Sequence, residues 1–224
     1  MKYLILDAGP IISMAMNGLL PLFEKLKKEC ECEFVLTPAV KREVIDKPMK
    51  IKRFKLEAIK VKNLLDKGIF KMSSEFVSAP ELLKERNRIT KLTNGVLRSI
   101  KTGEKIQIIH EGEADCLAFS NLCKCNNLIV IDERSTRMLF EAPNDLKKLI
   151  ERKLHCGLDS NFDLILTLGN YKFVRSAELI YIAYKKDLID LGKGKDVLDA
   201  LLYGLKFKGT TISSKEIDIL KSLI

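Results

Sequence analysis

The sequence predicts a three-layer α/β/α fold built around a central parallel sheet. Three short apolar runs, at residues 2–6, 33–36 and 128–131, have the composition of strands that are buried on both faces. Longer segments with helical spacing of apolar residues separate them. Because parallel strands need a crossover and a helix usually supplies it, this alternation indicates an α/β sheet.

In the first half of the chain, helical patterns follow both strands. Residues 11–28 have the apolar spacing of a helix after the first strand. After the second strand, Thr37 is suited to an N-cap and Pro38 to the first position of a further helix. From about residue 48 to residue 103 the pattern is helical and basic.

In the second half, residues 111–123 have the pattern of an amphipathic helix that leads into the third strand. That strand ends at Asp132, and two further helices are predicted at 134–140 and 144–154. The remaining sequence is mostly helical, although residues 161–168 and 172–174 fit either a helix or a strand.

At 224 residues the chain is long enough for one large domain with an appendage. We expect a domain at residues 1–142 that carries a basic helical insertion at about 47–105. A mostly helical C-terminal extension, residues 143–224, should pack on the same domain. No run approaches the roughly 20 apolar residues of a membrane span, and no signal peptide is recognisable, so we expect a cytoplasmic protein.

The positive charge of the chain is concentrated in one segment. The net charge is +9, and residues 47–105 hold 16 Lys and Arg against 6 Asp and Glu, whereas the rest holds 23 against 24. This asymmetry favours a polyanionic partner such as nucleic acid, with a solvated Lys-rich helical face as the alternative. The segment contains only three aromatic residues, all Phe, so electrostatic binding is expected rather than extensive base stacking.

Six cysteines are present, and their close pairs are Cys30-Glu-Cys32 and Cys123-Lys-Cys125. Structural zinc sites usually space their cysteines by two to four residues, so this pattern does not match. We expect free thiols, with a structural zinc ion or a disulfide between the two regions as alternatives.

Acidic residues occur where strands or helices deliver them to one edge of the sheet. Asp7 and Asp132 directly follow apolar strands, and Glu43 lies on the helix after the second strand. Glu113 and Asp115 lie at the start of the helix that precedes the third strand. Ligands bind beyond the carboxyl ends of parallel strands, and Mg²⁺ and Mn²⁺ prefer oxygen ligands. The alternative is that each acid has a separate structural role, as a helix-terminal or turn residue.

These motifs, taken in order, resemble the PIN domain. They are Leu-Ile-Leu-Asp7, Glu43 after Thr-Pro, Gly112-Glu-Ala-Asp115-Cys-Leu-Ala and Leu-Ile-Val-Ile-Asp132. The start Asp-Ala-Gly-Pro and the Gly-Glu-Ala helix are similar to archaeal and bacterial PIN-like proteins related to toxin nucleases. The resemblance covers about residues 1–142 and extends to the tail at 198–212.

The resemblance implies a metal-dependent endoribonuclease that cleaves single-stranded RNA with water activated by a carboxylate-bound Mg²⁺ or Mn²⁺. It implies Asp7, Glu43, Asp115 and Asp132 as catalytic and metal-binding acids, with Glu113 as the alternative or auxiliary third acid. A homodimer and an antitoxin-like protein are the further partners it implies.

The basic insertion extends this expectation to RNA contacts. We expect the RNA backbone to be bound by cations of the insertion and of the helix after Asp132, namely Lys50, Lys52, Arg53, Lys55, Arg134 and Arg137.

The chain also departs from the family pattern. Gly9 and Val130 stand where many members have a hydroxyl residue, and Arg134 stands where a further acid is common. We therefore expect a thinner hydroxyl shell, meaning that fewer Ser and Thr hydroxyl groups form hydrogen bonds to the acids. It favours the alternative function, a catalytically weak PIN-fold protein that binds RNA or another protein.

Two other classes of enzyme fit less well. A phosphatase with an aspartyl nucleophile needs a second Asp two residues after the first, and Gly9 occupies that position. A mononucleotide-binding domain needs a Gly-rich phosphate loop after the first strand, and none is present there.

Overall fold

The computed structural model of the chain describes residues 2–123, 125–192 and 194–223. It has the predicted three-layer α/β/α architecture, with a five-stranded parallel sheet flanked by helices. The strands are β1 (Lys2–Leu6), β2 (Cys32–Leu36), β3 (Phe70–Met72), β4 (Leu97–Ser99), β5 (Asn127–Val130), β6 (Leu158–Ser160) and β7 (Phe173–Val174).

Twelve α-helices lie within the described residues. They are α1 (Ala8–Met16), α2 (Pro21–Cys30), α3 (Pro38–Lys41), α4 (Lys55–Asp66), α5 (Ala79–Thr93), α6 (Glu111–Leu122), α7 (Arg134–Glu141), α8 (Pro143–Leu154), α9 (Asp163–Leu166), α10 (Ser176–Lys185), α11 (Lys195–Phe207) and α12 (Ser214–Ser222). A π-helical turn, Arg42–Asp46, directly continues α3, and short 3₁₀ turns cover Pro48–Lys50 and Ser73–Glu75.

The large sheet has the strand order β3-β2-β1-β5-β7, with every neighbouring pair parallel. Leu6, the last residue of β1, is in register with Leu36 of β2 and Val130 of β5. The three central strands therefore end at the same level, and the residues that follow them lie at one edge of the sheet. Strands β4 and β6 form a separate antiparallel pair.

One edge strand of the large sheet, β3, comes from a segment that the sequence predicts to be helical, and the other, β7, from residues that fit either a helix or a strand. β3 belongs to the basic insertion and pairs with β2, while β7 belongs to the C-terminal segment and pairs with β5. The expectation of a purely helical insertion is therefore wrong. A three-residue strand such as β3 is too short to leave a clear period-2 pattern in the sequence. A boundary at residue 142 does not separate the sheet from the rest of the chain.

The helix expected at residues 11–28 is two helices. Gly18 has a φ of 71° and lies between them, and Pro21 occupies the first turn of α2. A left-handed glycine ends a helix readily and proline starts one, so the apolar spacing continues across a break in the backbone.

The central strands are buried on both faces, as their composition predicted. Ile5, Leu6, Phe34 and Leu36 are fully enclosed. Beneath the sheet, the ring of Phe23 lies edge-on to the rings of Phe34 and Phe70, with centroids 5.0 Å away in each case. This rigid core fixes the edge at which the strands end.

The six cysteines are free thiols, so a disulfide between the two Cys-x-Cys regions is excluded. Among the residues that the structure describes, no helix combines the length and the apolar composition needed to cross a membrane.

Candidate functional site

A cleft of about 470 Å³ lies beyond the carboxyl ends of β1 and β5. Four of the five predicted acids line it: Asp7, Glu43, Glu113 and Asp132. No Lys or Arg lies among the described residues of its wall, which are completed by Ala8, Gly9, Ile12, His110, Gly112, Glu133, Gly209 and Thr211. The described wall of the cleft is therefore acidic.

Asp7 occupies the junction between β1 and α1 and is only 7% exposed. Burial raises the pKa of this carboxyl to about 7, and the nearby charge of Glu113 adds to the rise. The backbone N–H groups of Ala8 and Gly9 at the start of α1 oppose the rise by hydrogen bonding to the carboxylate. At neutral pH Asp7 therefore lies close to the balance between its protonated and charged forms.

Glu43 reaches the same space from the π-helical turn after α3. A Cβ atom on Gly112 would lie 3.4 Å from Oε1 of Glu43 and 3.5 Å from Oδ1 of Asp7. Both carboxylates therefore face the small volume that the missing side chain of Gly112 leaves open. π-helical turns are rare in proteins, and many of those that do occur are found at functional sites, where the turn changes the direction of a side chain.

Glu113 enters the cleft from the first turn of α6. Its Oε2 accepts a hydrogen bond of 2.6 Å from the backbone N–H of His110, the residue that precedes the helix. Burial raises the pKa of Glu113, and this hydrogen bond opposes the rise. The bond fixes the carboxylate at the helix start, beside Asp7.

Asp132 is held by hydroxyl groups from the C-terminal segment. Its Oδ1 accepts from the backbone N–H of Ser176 at 2.9 Å, and Oγ of Ser176 lies 3.0 Å from Oδ1 and 2.8 Å from Oδ2. Oγ1 of Thr210 donates to Oδ2 at 3.4 Å and lies 3.0 Å from Oγ of Ser13. Burial raises the pKa of Asp132, and these hydrogen bonds oppose the rise.

The expected thinning of the hydroxyl shell is therefore wrong for Asp132. The hydroxyls that Gly9 and Val130 cannot supply come from Ser176, at the start of α10, and from Thr210, after α11. The strand β7 brings Ser176 to the sheet edge because it pairs with β5 and ends beside Asp132.

Asp115 is not among the residues that line the cleft. Its Oδ2 accepts from the backbone N–H of Ala39 at 3.1 Å, in the first turn of α3, where the helix leaves N–H groups unpaired. Its Oδ1 lies 3.5 Å from the guanidinium of Arg86, and that guanidinium also binds Glu111 at 2.6 Å. Burial raises the pKa of Asp115, and the Ala39 N–H and the charge of Arg86 oppose the rise.

The cations predicted to bind RNA lie outside the cleft. Four of them are exposed on the stretch that leads from the 3₁₀ turn into α4 and form no ion pair among the described residues: Lys50, Lys52, Arg53 and Lys55. Arg134 is exposed at the start of α7. Arg137 is half-buried, its Nε finds no acceptor in the described part of the chain, and burial lowers its pKa.

The structure adds site residues that the sequence did not single out. His110 and Thr211 line the cleft, and Oγ1 of Thr211 donates to the backbone carbonyl of Asp132 at 2.7 Å. Glu133, the neighbour of Asp132 in the chain, also lines the cleft. For Ser176, the available signal was a hydroxyl residue two positions after a short β-type run, close to the arrangement that identified Asp7 and Asp132.

The donor set of the cleft matches a hard divalent cation, because it consists of carboxylate oxygens with one imidazole nearby. Within the described residues, no three His, Cys, Asp or Glu side chains are spaced closely enough to hold an ion as they stand. Mg²⁺ commonly keeps several waters and uses one or two carboxylates, so it does not need such a close group. The raised pKa of Asp7 gives a second reason for the fit, since a cation would stabilise its charged form.

Comparisons of the chain with protein-family models, with curated proteins and with solved structures give no match.

Proposed function

We propose that this chain is a divalent-metal-dependent endoribonuclease of the PIN type that cleaves single-stranded RNA. One observation carries the proposal: Asp7, Glu43, Glu113 and Asp132 line one cleft at the carboxyl edge of the parallel sheet, and no described Lys or Arg lines that cleft. Carboxylates brought together in this way raise one another's pKa unless a cation is added. Mg²⁺ or Mn²⁺ is the cation that suits them.

Asp7, Glu43, Glu113 and Asp132 are the residues that would hold the cation. When bound, such a cation polarises a phosphoryl oxygen and makes a water molecule a better nucleophile. The chain itself orients the acids: Glu113 through the N–H of His110, and Asp132 through the hydroxyls of Ser176 and Thr210. Supporting hydrogen bonds of this kind usually tune metal affinity and activity.

RNA is supported as the substrate by the position of the exposed cations. Glu43 and Lys47 are separated by one helical turn and line the same groove, and the exposed cations Lys50, Lys52 and Arg53 follow Lys47 directly. A phosphate backbone bound along this stretch would therefore pass the mouth of the acidic cleft. The charge of the stretch attracts any nucleic acid, and preference for a single strand is part of the proposal.

The alternative of a catalytically weak binding protein loses its main argument. That alternative followed from the missing hydroxyls at positions 9 and 130, and Ser176 and Thr210 provide hydroxyls to Asp132 instead.

The test uses a fluorescein-labelled, unstructured oligoribonucleotide with Mn²⁺, Mg²⁺ or excess EDTA. We expect slow cleavage with either metal, none in EDTA, and a loss on the order of a hundred-fold or more in Asp7→Asn. Asn is as good an N-cap as Asp, so α1 should remain intact, and circular dichroism checks this. Equal cleavage in EDTA, or full activity of Asp7→Asn, would overturn the proposal.

A further inference from the structure

An apolar groove of about 430 Å³ adjoins the acidic cleft. The two share Ile12 and Glu43 as lining residues, so a molecule in one lies directly beside the other. The groove runs between one face of α1 and one face of α4, and its other walls come from the turn that follows Glu43. Its size is in the range that ordinary small-molecule sites occupy.

The apolar walls of this groove are open to water. Ile12, Met16 and Phe54 are 44%, 40% and 36% exposed, and Ile51 at the rim is 47% exposed. Large apolar side chains gathered at one place on a surface mark a binding site more often than isolated ones do. The ring of Phe54 offers a flat face of the kind on which nucleobases stack.

A single carboxylate interrupts the apolar surface. Glu57, Ala58 and Val61 lie on one face of α4, Phe54 directly precedes the helix, and all four line the groove. Oε2 of Glu57 is buried, and among the described residues neither oxygen of Glu57 accepts a hydrogen bond. A buried acceptor without a donor costs about 1–3 kcal/mol, and a ligand with N–H groups would remove this cost.

Two cations stand at the edge of the same groove. Lys47 and Lys208 line it, and Nζ of Lys208 donates to the backbone carbonyl of Met16 at 3.2 Å. The groove thus offers an apolar floor, an unsatisfied acceptor and positive charge at the rim. A nucleotide has the matching parts, which are a flat base, N–H donors on the base edge and a phosphate.

We infer that this groove binds a guanine base of the RNA strand whose phosphate lies in the acidic cleft. The choice of guanine follows from the chemistry of Glu57: an ionised carboxylate only accepts hydrogen bonds. Guanine presents N1–H and its amino group side by side on the pairing edge, whereas uracil presents one N–H between two acceptors. Adenine and cytosine present an amino group next to an acceptor nitrogen, which a carboxylate repels.

The inference rests on the proposed function for the position of the phosphate, but base binding can be measured without cleavage. The probes are fluorescein-labelled nine-residue oligouridylates whose central base is guanine, hypoxanthine, adenine, cytosine or uracil. Binding is followed by anisotropy in EDTA. We expect the guanine probe to bind about ten-fold tighter than the uracil probe, which is the discrimination that a bidentate hydrogen-bonded contact to a base typically provides. Hypoxanthine, which lacks the amino group, should lie between them.

Glu57→Gln should reduce the preference for guanine to less than about two-fold while overall RNA binding remains. The matched control is Asp66→Asn, which removes the same charge from an exposed position of α4 outside the groove. It should keep the preference. A second pair tests the apolar wall: Phe54→Ala should weaken binding of every probe several-fold, whereas Leu56→Ala, exposed on the same helix outside the groove lining, should not.

The outcomes separate the two proposals. Equal affinity for all five probes, or an unchanged preference in Glu57→Gln, overturns the guanine site even when metal-dependent cleavage is observed. A guanine preference that Glu57→Gln abolishes supports the site even when no cleavage is found. If Phe54→Ala leaves RNA binding intact but turns a dimer into a monomer on a sizing column, the groove is covered by a second copy and the inference fails.

Discussion

The two sides of α6 hold acids in opposite electrostatic surroundings. On one side Glu113 faces Asp7 in a cleft that no described Lys or Arg lines. On the other side Glu111 contacts Arg42 and Arg86 at 2.6 Å each, and Asp115 lies 3.5 Å from Arg86. All three acids lie within residues 111–115, so their positions in the sequence do not show which of them have a structural role.

The partners of each carboxylate distinguish a structural acid from a candidate metal ligand. Asp115 is already satisfied, because it accepts from a helix N-terminal N–H and has a guanidinium beside it. Asp7 has two backbone N–H groups and a second acid as its neighbours, and its pKa rises to about 7. An acid whose charged form lacks a counter-ion is the one that a metal ion would stabilise.

The largest expected effect is on stability, and Asp7→Asn should show it. Between about pH 4, the ordinary pKa of Asp, and about pH 7, folded Asp7 keeps a proton that the unfolded chain has released. The free energy of unfolding therefore falls as the pH rises through this window. At about 1.4 kcal/mol per pH unit, Asn should raise stability above pH 7 by an amount that approaches about 4 kcal/mol.

Urea unfolding of wild type and Asp7→Asn at pH 5 and pH 8, in metal-free buffer, measures this effect. The gain should be larger at pH 8, and added Mn²⁺ should stabilise the wild type more than the variant. Asp115→Asn is the comparison variant, and we expect its gain in stability to be smaller, because the Ala39 N–H and the Arg86 guanidinium stabilise the charged form of Asp115. A destabilised Asp7→Asn would contradict the contrast between the two sides of α6.

The next largest effect concerns cleavage by variants of the two acids on α6. Glu113→Gln should lower the metal-dependent cleavage rate on the order of a hundred-fold, since it removes a charge from the cleft. Asp115→Asn should retain most of the rate, because its carboxylate does not line the cleft. Single-turnover cleavage of labelled RNA gives both values. The reverse result would identify Asp115 as the third acid and Glu113 as structural.

The smallest of these effects concerns the hydroxyls around Asp132. Ser176→Ala removes the side-chain donor but keeps the backbone N–H that binds Oδ1. We expect Mn²⁺ affinity or cleavage to fall about ten-fold, which is typical when a supporting hydrogen bond to a ligand is lost. Mn²⁺ titration followed by thermal unfolding measures the affinity. Thr167→Ala, which removes a hydroxyl that donates to the backbone carbonyl of Leu164 outside the cleft, is the control and should change it little.

The sequence alone determined the α/β class and the positions of Asp7 and Asp132. Both results follow from local patterns, since a short apolar run between helical segments specifies a buried strand and the next residue lies at the sheet edge. Register in the sheet then aligns Leu6 with Leu36 and Val130. The break at Gly18 was missed because the apolar spacing of two helices in succession looks like that of one.

Packing between distant parts of the chain determines which acid of α6 enters the cleft and which hydroxyl groups reach Asp132. Every residue from Gly112 to Phe119 is buried, so this stretch has no exposed face, and the amphipathic pattern predicted for residues 111–123 does not reveal how the helix is rotated against the sheet. Ser176 and Thr210 lie 44 and 78 residues from Asp132 in the chain. Packing of β7 on β5 brings Ser176 to Asp132, and contacts across such distances leave no periodic signal in the sequence.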